Sequence, residues 1–424
     1  MRALLVSVNR EEINMPAWPL GLASVAASTE NAGHRVSVLD LMMADDPHDA
    51  LKEAIESARP EIIGLSVRNI DDQNMQHPVF YLDKVKKMVQ TCRSRSDAPI
   101  VLGGAGYSLF PTSCLEYLCA DMGIQGEGES VFPALLERMA GEESLAGLPG
   151  LFLAGEGLQG ERGFVEDLDQ LPLPRPELLF PSNHDASYFW LPVQTRRGCP
   201  LNCSYCSTST IEGNRFRKRS PERVAQWISQ WEEAGVRRFF FVDNTFNRPV
   251  SYAKALCTEL ANLSPRLEWR CILYPDKIDR ELGEIMARSG CTEVSLGFES
   301  GSEQILHVLN KRFKPEDVKR ASKILADHGI RQTGFLLLGG PGETRETVEE
   351  SLSFADSLKL DAVKITRGIR IYPYTELARI AVDQGIVSPD DDLLLPRFYC
   401  VPGLEAWLEA TVEDWTKDRP NWLV

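Results

Sequence analysis

No stretch of this 424-residue chain approaches the ~20 consecutive apolar residues that a membrane-spanning helix needs. Its first apolar run, from Ala3 to Val8, is too short for the hydrophobic region of a secretory signal and reads as a strand. Positive charge is in deficit, with 46 Lys and Arg against 61 Asp and Glu for a net charge of -15. That balance excludes broad nucleic-acid affinity from bulk electrostatics. The local basic run Arg215, Arg217, Lys218 and Arg219 fits a solvated face or contacts to nearby anionic groups. Ten cysteines without a secretory signal suit a reducing compartment. The expectation is therefore a cytoplasmic protein with no membrane and no nucleic-acid partner. The rest is ordinary globular usage, 43% hydrophobic and 25% charged, in a length comfortable for two domains.

Three of the cysteines, Cys199, Cys203 and Cys206, stand at C-x3-C-x2-C. This is not a usual paired zinc spacing, and three thiols so close cannot all form disulfides. Cysteine thiolates are the standard ligands of iron–sulfur clusters. Three of them hold three corners of a four-iron cube and leave one iron open to a small chelating molecule. With Tyr205 just before the last cysteine, the segment resembles the signature of the radical S-adenosylmethionine (SAM) superfamily. The resemblance implies a 4Fe-4S cluster on Cys199, Cys203 and Cys206, with the amino and carboxylate groups of SAM on the fourth iron. It also implies a reductant such as flavodoxin or ferredoxin.

Residues 1–145 alternate strand and helix patterns, with strands at 3–8, 35–39, 62–67, 100–102 and 121–124. This predicts an α/β, Rossmann-like, doubly wound domain. Ligands of such folds sit at the carboxyl ends of the strands. Those ends carry Asn9, Asp40, Ser66 with Arg68-Asn69, Gly103-Gly104 and Gly126-Glu127. Together they resemble the cobalamin-binding domain that precedes many radical SAM cores. The resemblance implies that Ser66, Gly103 and Gly104 meet the nucleotide tail and corrin edge, with Gly126 and Glu127 at the neighbouring strand end. One departure stands out: the family's D-x-H-x-x-G loop is replaced by Asn9-Arg10-Glu11-Glu12-Ile13-Asn14. Asp46-Pro47-His48 is only a misplaced fragment of it. Cobalamin is therefore expected without a histidine ligand from that loop. Members whose cobalamin-like domain binds none keep the alternative open.

Residues 146–187, with Pro149, Pro172, Pro174, Pro176 and Pro181, read as a linker. From 188 to 385, strands at 193–196, 238–242, 267–273, 292–297, 332–338 and 362–365 alternate with helices. They fit a partial (β/α)6 barrel, and residues 386–424 read as a tail packed on it. Barrels of this type carry their chemistry at the carboxyl ends of the strands. There, the resemblance implies Asp243 and Asn244 at the SAM amino group, Glu299 with Ser300 at the ribose hydroxyls, and Gly339-Gly340 against the adenine. The bland alternatives are helix N-caps and a tight turn. Lys364, Arg367, Arg370 and Tyr372 are candidates for the substrate or the SAM carboxylate. Cys400 is a candidate for hydrogen-atom return or substrate contact. The implied function is radical SAM chemistry, foremost cobalamin-dependent methyl transfer to an unactivated carbon. Alternatives are a dehydration, redox or rearrangement step on a vestigial cobalamin fold, and a non-catalytic iron–sulfur sensor. A methylthiotransferase fits less well, because no second cysteine triad precedes the first. The expected substrate is a small molecule, with a peptide left open.

Overall fold

The computed structural model describes residues 1–11, 18–176, 190–263 and 267–424. Glu12, Ile13 and Asn14 of the first loop, and Pro181, lie outside the described residues. Near-continuous apolar runs such as Ala3-Leu4-Leu5-Val6, buried throughout, are what a parallel strand covered on both faces requires. The strands β1 (Arg2–Ser7), β2 (Arg35–Asp40), β3 (Ile62–Ser66), β4 (Ile100–Gly103) and β5 (Met122–Ile124) lie parallel in the order β2-β1-β3-β4-β5. The winding reverses between β1 and β3, and a crevice opens there at the carboxyl ends. Asp46 caps the helix Pro47–Ala58 by accepting from the N–H groups of His48 and Asp49. The His48 ring pairs with Thr91, so this fragment of the missing motif is a helix start.

Part of the expected linker belongs to this sheet. β6 (Leu151–Leu153) and β7 (Gly157–Leu158) form a hairpin that pairs antiparallel to β5. Leu151 and Phe152 are buried, and the turn runs through Gly155 and Gly157, both at positive φ.

The second sheet begins with β8 (Leu191–Val193). After it come the short antiparallel pair β9 (Arg196–Arg197) and β10 (Arg217–Lys218). The sheet continues with β11 (Arg238–Phe241), β12 (Glu268–Leu273), β13 (Cys291–Glu299), β14 (Arg331–Leu338) and β15 (Ala362–Arg367). A second short pair, β16 (Ile369–Arg370) and β17 (Phe398–Tyr399), precedes β18 (Trp422–Leu423). The order β8-β11-β12-β13-β14-β15-β18 is parallel throughout and does not close, giving a partial barrel. The tail thus contributes a strand as well as the helix Glu405–Thr416, which buries Leu408 and Val412.

Side chains alternate across each strand. Val242, Ile272, Ser295, Glu299, Thr333 and Lys364 all face one lumen. The outer face is packed by helices such as Pro221–Glu233, which starts at the Ser220 cap with Pro221 in its first turn and buries Trp227, Ile228 and Trp231. One apolar cluster joins Leu65, Val67 and Leu102 of the first domain to Ile305, Leu309, Leu337 and Ile369 of the second.

Candidate active site

A cavity of about 910 Å³ runs from the crevice of the first sheet into the barrel lumen. Ser7, Asn9, Ser66, Arg68, Gly103 and Gly104 line one end, and Glu299 and Lys364 the other, with Arg197 and Glu212 beside the cysteine loop between them. Gly104 has φ of 94°, and a Cβ there would stand 2.6 Å from the carbonyl oxygen of Val67, so only glycine fits. A Cβ on Gly103 would meet nothing within 4 Å and would enter the open crevice. The Ser66 hydroxyl makes no hydrogen bond among the described residues, and Arg68 pairs there with no carboxylate. Burial pulls the Arg68 guanidinium below its usual range. A bare glycine wall, a free hydroxyl and a cation fit the edge and the phosphate-bearing tail of a corrin. No histidine lines the cavity among the described residues, in keeping with the missing loop motif.

The cysteine loop is mounted from below by Asp243. This carboxylate is fully buried, accepts from the N–H groups of Thr195 (2.7 Å) and Arg196 (3.1 Å) and from the Thr195 hydroxyl, and faces Arg196 Nε at 3.3 Å. Glu212 accepts from Gly198 N at 3.1 Å, Asn244 Nδ2 at 2.7 Å and Gln194 Nε2 at 2.8 Å. Burial raises its carboxyl above the ordinary value despite these donors. Thr208 bridges Cys206 Sγ (3.3 Å) to the Asn244 side chain (3.2 Å).

The three cysteine thiols are half-buried. Burial raises the Cys199 thiol to about 11, with smaller contributions from Cys206 and Cys203, so the thiols sense one another. Among the described residues no three Cys, His, Asp or Glu side chains converge on a single ion. Three thiols carried on one loop can each take their own iron of a four-iron cluster. This all-cysteine donor set fits a 4Fe-4S cluster.

Beside Cys203 lies a residue the sequence reading missed. Lys311 is buried, with its Nζ 3.0 Å from the Tyr205 hydroxyl and 3.2 Å from Glu299 Oε1. Burial alone would lower its pKa, but Tyr205, Glu299 and Cys203 together raise it well above the ordinary value. It stays a cation. Glu299 ends β13 at φ of 65°, a left-handed conformation unusual for a residue with a side chain. It lines the cavity, as expected.

Several expected residues are placed elsewhere. Asp243 faces the cysteine-loop backbone and is not open to a ligand. Ser300 is fully buried and bonds Ser351 Oγ at 2.8 Å. Glu127 borders the cavity but is held by Arg217 at 2.7 Å and Arg197 at 3.3 Å, while Glu129 also pairs with Arg197. These carboxylates tie the first domain to the cysteine loop. The N–H groups of Gly339 and Gly340 both donate to Glu343, and Thr344 caps the next helix, so this is a self-contained turn. Arg370 is buried against Asp71 at 2.7 Å and donates to the carbonyls of Ile371 and Leu393, which removes it from ligand binding. Tyr372 stacks near Phe110 and Arg370. Arg367 faces Glu409 at 3.8 Å, and Cys400 is buried beside the Gly339 turn; neither lines the cavity. Of the four late candidates, Lys364 alone does. Gly126 lines it too, its N–H donating to Ser108 Oγ.

Comparison with known proteins agrees with this geometry. Residues 193–355 match the Radical SAM superfamily, and residues 6–136 match the B12 binding domain. The chain is 27% identical over 399 residues to an uncharacterized methyltransferase of Pyrococcus horikoshii, covering 91% of this chain and 84% of that one. It is 24% identical over 443 residues to tryptophan 2-C-methyltransferase of Streptomyces laurentii, covering 89% and 74%. Its fold is similar to that of the radical S-adenosylmethionine methyltransferase TsrM from Kitasatospora setae, solved with cobalamin and a 4Fe-4S cluster. That likeness has a TM-score of 0.87 at 23% identity and covers 100% of this chain and 92% of that one.

Proposed function

The chain belongs to the radical SAM superfamily with a B12-binding domain ahead of its barrel, and from this we propose that it is a cobalamin-dependent methyltransferase acting on an unactivated carbon of a small molecule. The observation that carries this reading is the cavity that joins the glycine-lined crevice to the barrel lumen and is bordered by Arg197 and Glu212, which flank the cysteine loop. Methyl transfer between two cofactors and a substrate needs all three in one water-poor space. When bound, the cluster supplies an electron to SAM and the cobalamin supplies a carrier for the methyl group.

The chain's own residues bind and orient. Lys311, fixed between Tyr205 and Glu299, offers a buried cation to the carboxylate of SAM next to Cys203. Glu299 lines the cavity and offers a carboxylate to ribose hydroxyls, and Asn244, linked to Cys206 through Thr208, offers its side-chain oxygen to the ammonium. Ser66, Gly103 and Gly104 cradle the cobalamin tail. A relative named for tryptophan methylation supports a small-molecule substrate. Among the described residues no helix is long and apolar enough to cross a membrane, and all ten cysteines are free. The free cysteines suit a reducing, cytoplasmic setting, and the proposed chemistry calls for a reductant such as flavodoxin or ferredoxin.

The test is methyl transfer by anaerobically purified protein carrying both cofactors, given a reductant, methyl-deuterated SAM and a pool of small metabolites. S-adenosylhomocysteine together with a deuteromethylated product is the expected outcome. Conversion of SAM only to methionine and 5′-deoxyadenosine would assign the chain to a different radical SAM reaction.

A further inference from the structure

The cysteine loop meets solvent at Asn202, immediately before Cys203, on a side that the cavity does not reach. Two segments clamp the loop there. On one side Ser204 N donates to Leu309 O at 3.2 Å, Asn310 Nδ2 to Asn202 O at 2.6 Å, and Arg312 Nη2 to Pro200 O at 3.3 Å. On the other side Leu377 N, in the first turn of the helix Glu376–Asp383, donates to Ser204 O at 2.8 Å. The backbone on either side of Cys203 is therefore one hydrogen bond away from exposed segments of the barrel.

Each clamp carries one side chain that the fold does not use. Tyr374, just before the Thr375 cap of the helix, is 83% exposed and makes no hydrogen bond or ring contact among the described residues. It also holds φ at 62°. Asn202 and Asn310 hold similar values, 54° and 56°, but a short amide side chain suits the left-handed region and a bulky aromatic does not. Glycine would make this turn at less cost, and no internal contact of the ring offsets the strain. Arg312 is exposed and forms no ion pair among the described residues. The cations near it are matched, Lys314 with Glu303 at 2.6 Å and Arg379 with Glu376 and Asp383. Tyrosine and arginine are the residue types that most often anchor a protein interface.

We propose that this surface, anchored by Tyr374 and Arg312, docks the electron-carrier protein that serves the cysteine loop, and that the carrier presents an acidic rim to it. In a chain of net charge -15 an acidic partner is repelled over most of the surface, and a cation left open beside the loop orients it there. One electron leaves the carrier's flavin or iron–sulfur centre and one is taken up at the loop, with no atom transferred. Such an exchange needs only a small, short-lived contact. The inference rests on the proposed function only in taking the reductant to be a protein.

The experiment is anaerobic isothermal titration of the protein carrying both cofactors, with a flavodoxin and a 4Fe-4S ferredoxin as the probes. At least one is expected to bind in the micromolar range. Tyr374→Gly removes the ring at a position whose backbone favours glycine, so the fold is kept, and it should weaken binding about tenfold or more. Arg312→Glu should weaken it by a similar factor, while Arg312→Lys, which keeps the charge, should retain most of the affinity. Iron and sulfide content and the rate of reduction by dithionite, which needs no docking surface, should be the same in every variant. Reduction by the carrier should slow in Tyr374→Gly and Arg312→Glu. Binding of neither carrier at submillimolar concentration, undiminished affinity in either of these two variants, or equal slowing with dithionite would overturn the proposal. A dimer of this chain that dissociates in Tyr374→Gly would assign the surface to a second copy and overturn it as well. No turnover is needed, so binding that the variants weaken in a protein that transfers no methyl group would keep this surface and reject the reaction. Methyl transfer with undiminished affinity in the variants would do the reverse.

Discussion

Glu343 lies almost wholly buried under the glycine turn, and burial raises its carboxyl from 4.5 to about 7 even though the N–H groups of Gly339 and Gly340 donate to it. A carboxyl raised in the folded state contributes stability that is full below its unfolded pKa and is lost as pH rises through its folded one. The loss from this residue between about pH 5 and 8 should reach roughly 3 kcal/mol. Glu343→Gln keeps an acceptor for the two N–H groups without the ionisation. Its denaturation midpoint should therefore fall less over that interval than the unmodified protein's, and parallel pH profiles would refute the assignment. The same scale explains which site residues were legible. Cys199, Cys203, Cys206 and Glu299 are carried by spacing and by position at a strand end. Asp243 and Ser300 were misjudged because closeness to a strand end was weighed above parity. Val242 and Glu299 face the lumen, so the residues after them turn away. Lys311 had no signal of its own: it reaches Tyr205 only because the short helix Glu303–Val308 folds back toward the cysteine loop.

At the scale of elements, the cysteine loop depends on the strand that delivers it and on the strand beside it. Asp243, just past β11, fixes the backbone of Thr195 and Arg196 immediately before the loop. It also neutralises the buried Arg196, whose guanidinium stacks on Tyr252 at 4.5 Å. Removing one member of a buried pair strands the other charge and costs about 3–5 kcal/mol. Asp243→Ala should lower the denaturant midpoint accordingly and reduce the iron retained after anaerobic reconstitution. Normal iron retention with unchanged stability would refute the mounting role. Most strands and outer helices were legible because apolar periodicity and proline-bearing helix starts, as at Ser220-Pro221, act locally. The β6–β7 hairpin was lost among the glycines and prolines that surround it. Its Leu151 and Phe152 are too short a run to distinguish from linker until β5 provides a partner.

At the scale of the whole molecule, two contacts between the domains frame the cavity. Glu127 and Glu129 hold Arg197 and Arg217 on one side, and Asp71 holds Arg370 on the other. Ile305, Leu309, Leu337 and Ile369 lie in the apolar cluster shared with the first domain, and each fully buried side chain of this kind contributes roughly 1.5–3 kcal/mol. The two architectures could be read from their alternating elements. Their docking could not, since it joins residues such as Asp71 and Arg370 that are far apart in the chain and carry no local pattern. That docking turns a crevice and a lumen into one reaction space, and cobalamin in the crevice is the central requirement of the proposed function. The most direct measurement is corrin per chain, alongside iron and sulfide, in protein produced with cobalamin and purified without oxygen. The comparison is Gly103→Leu, whose side chain should project into the open crevice without a backbone clash. The expected result is near-stoichiometric corrin in the unmodified protein and its loss in the variant, with iron and sulfide equal in both. A full cluster with no corrin in the unmodified protein, or corrin undiminished by Gly103→Leu, would contradict it.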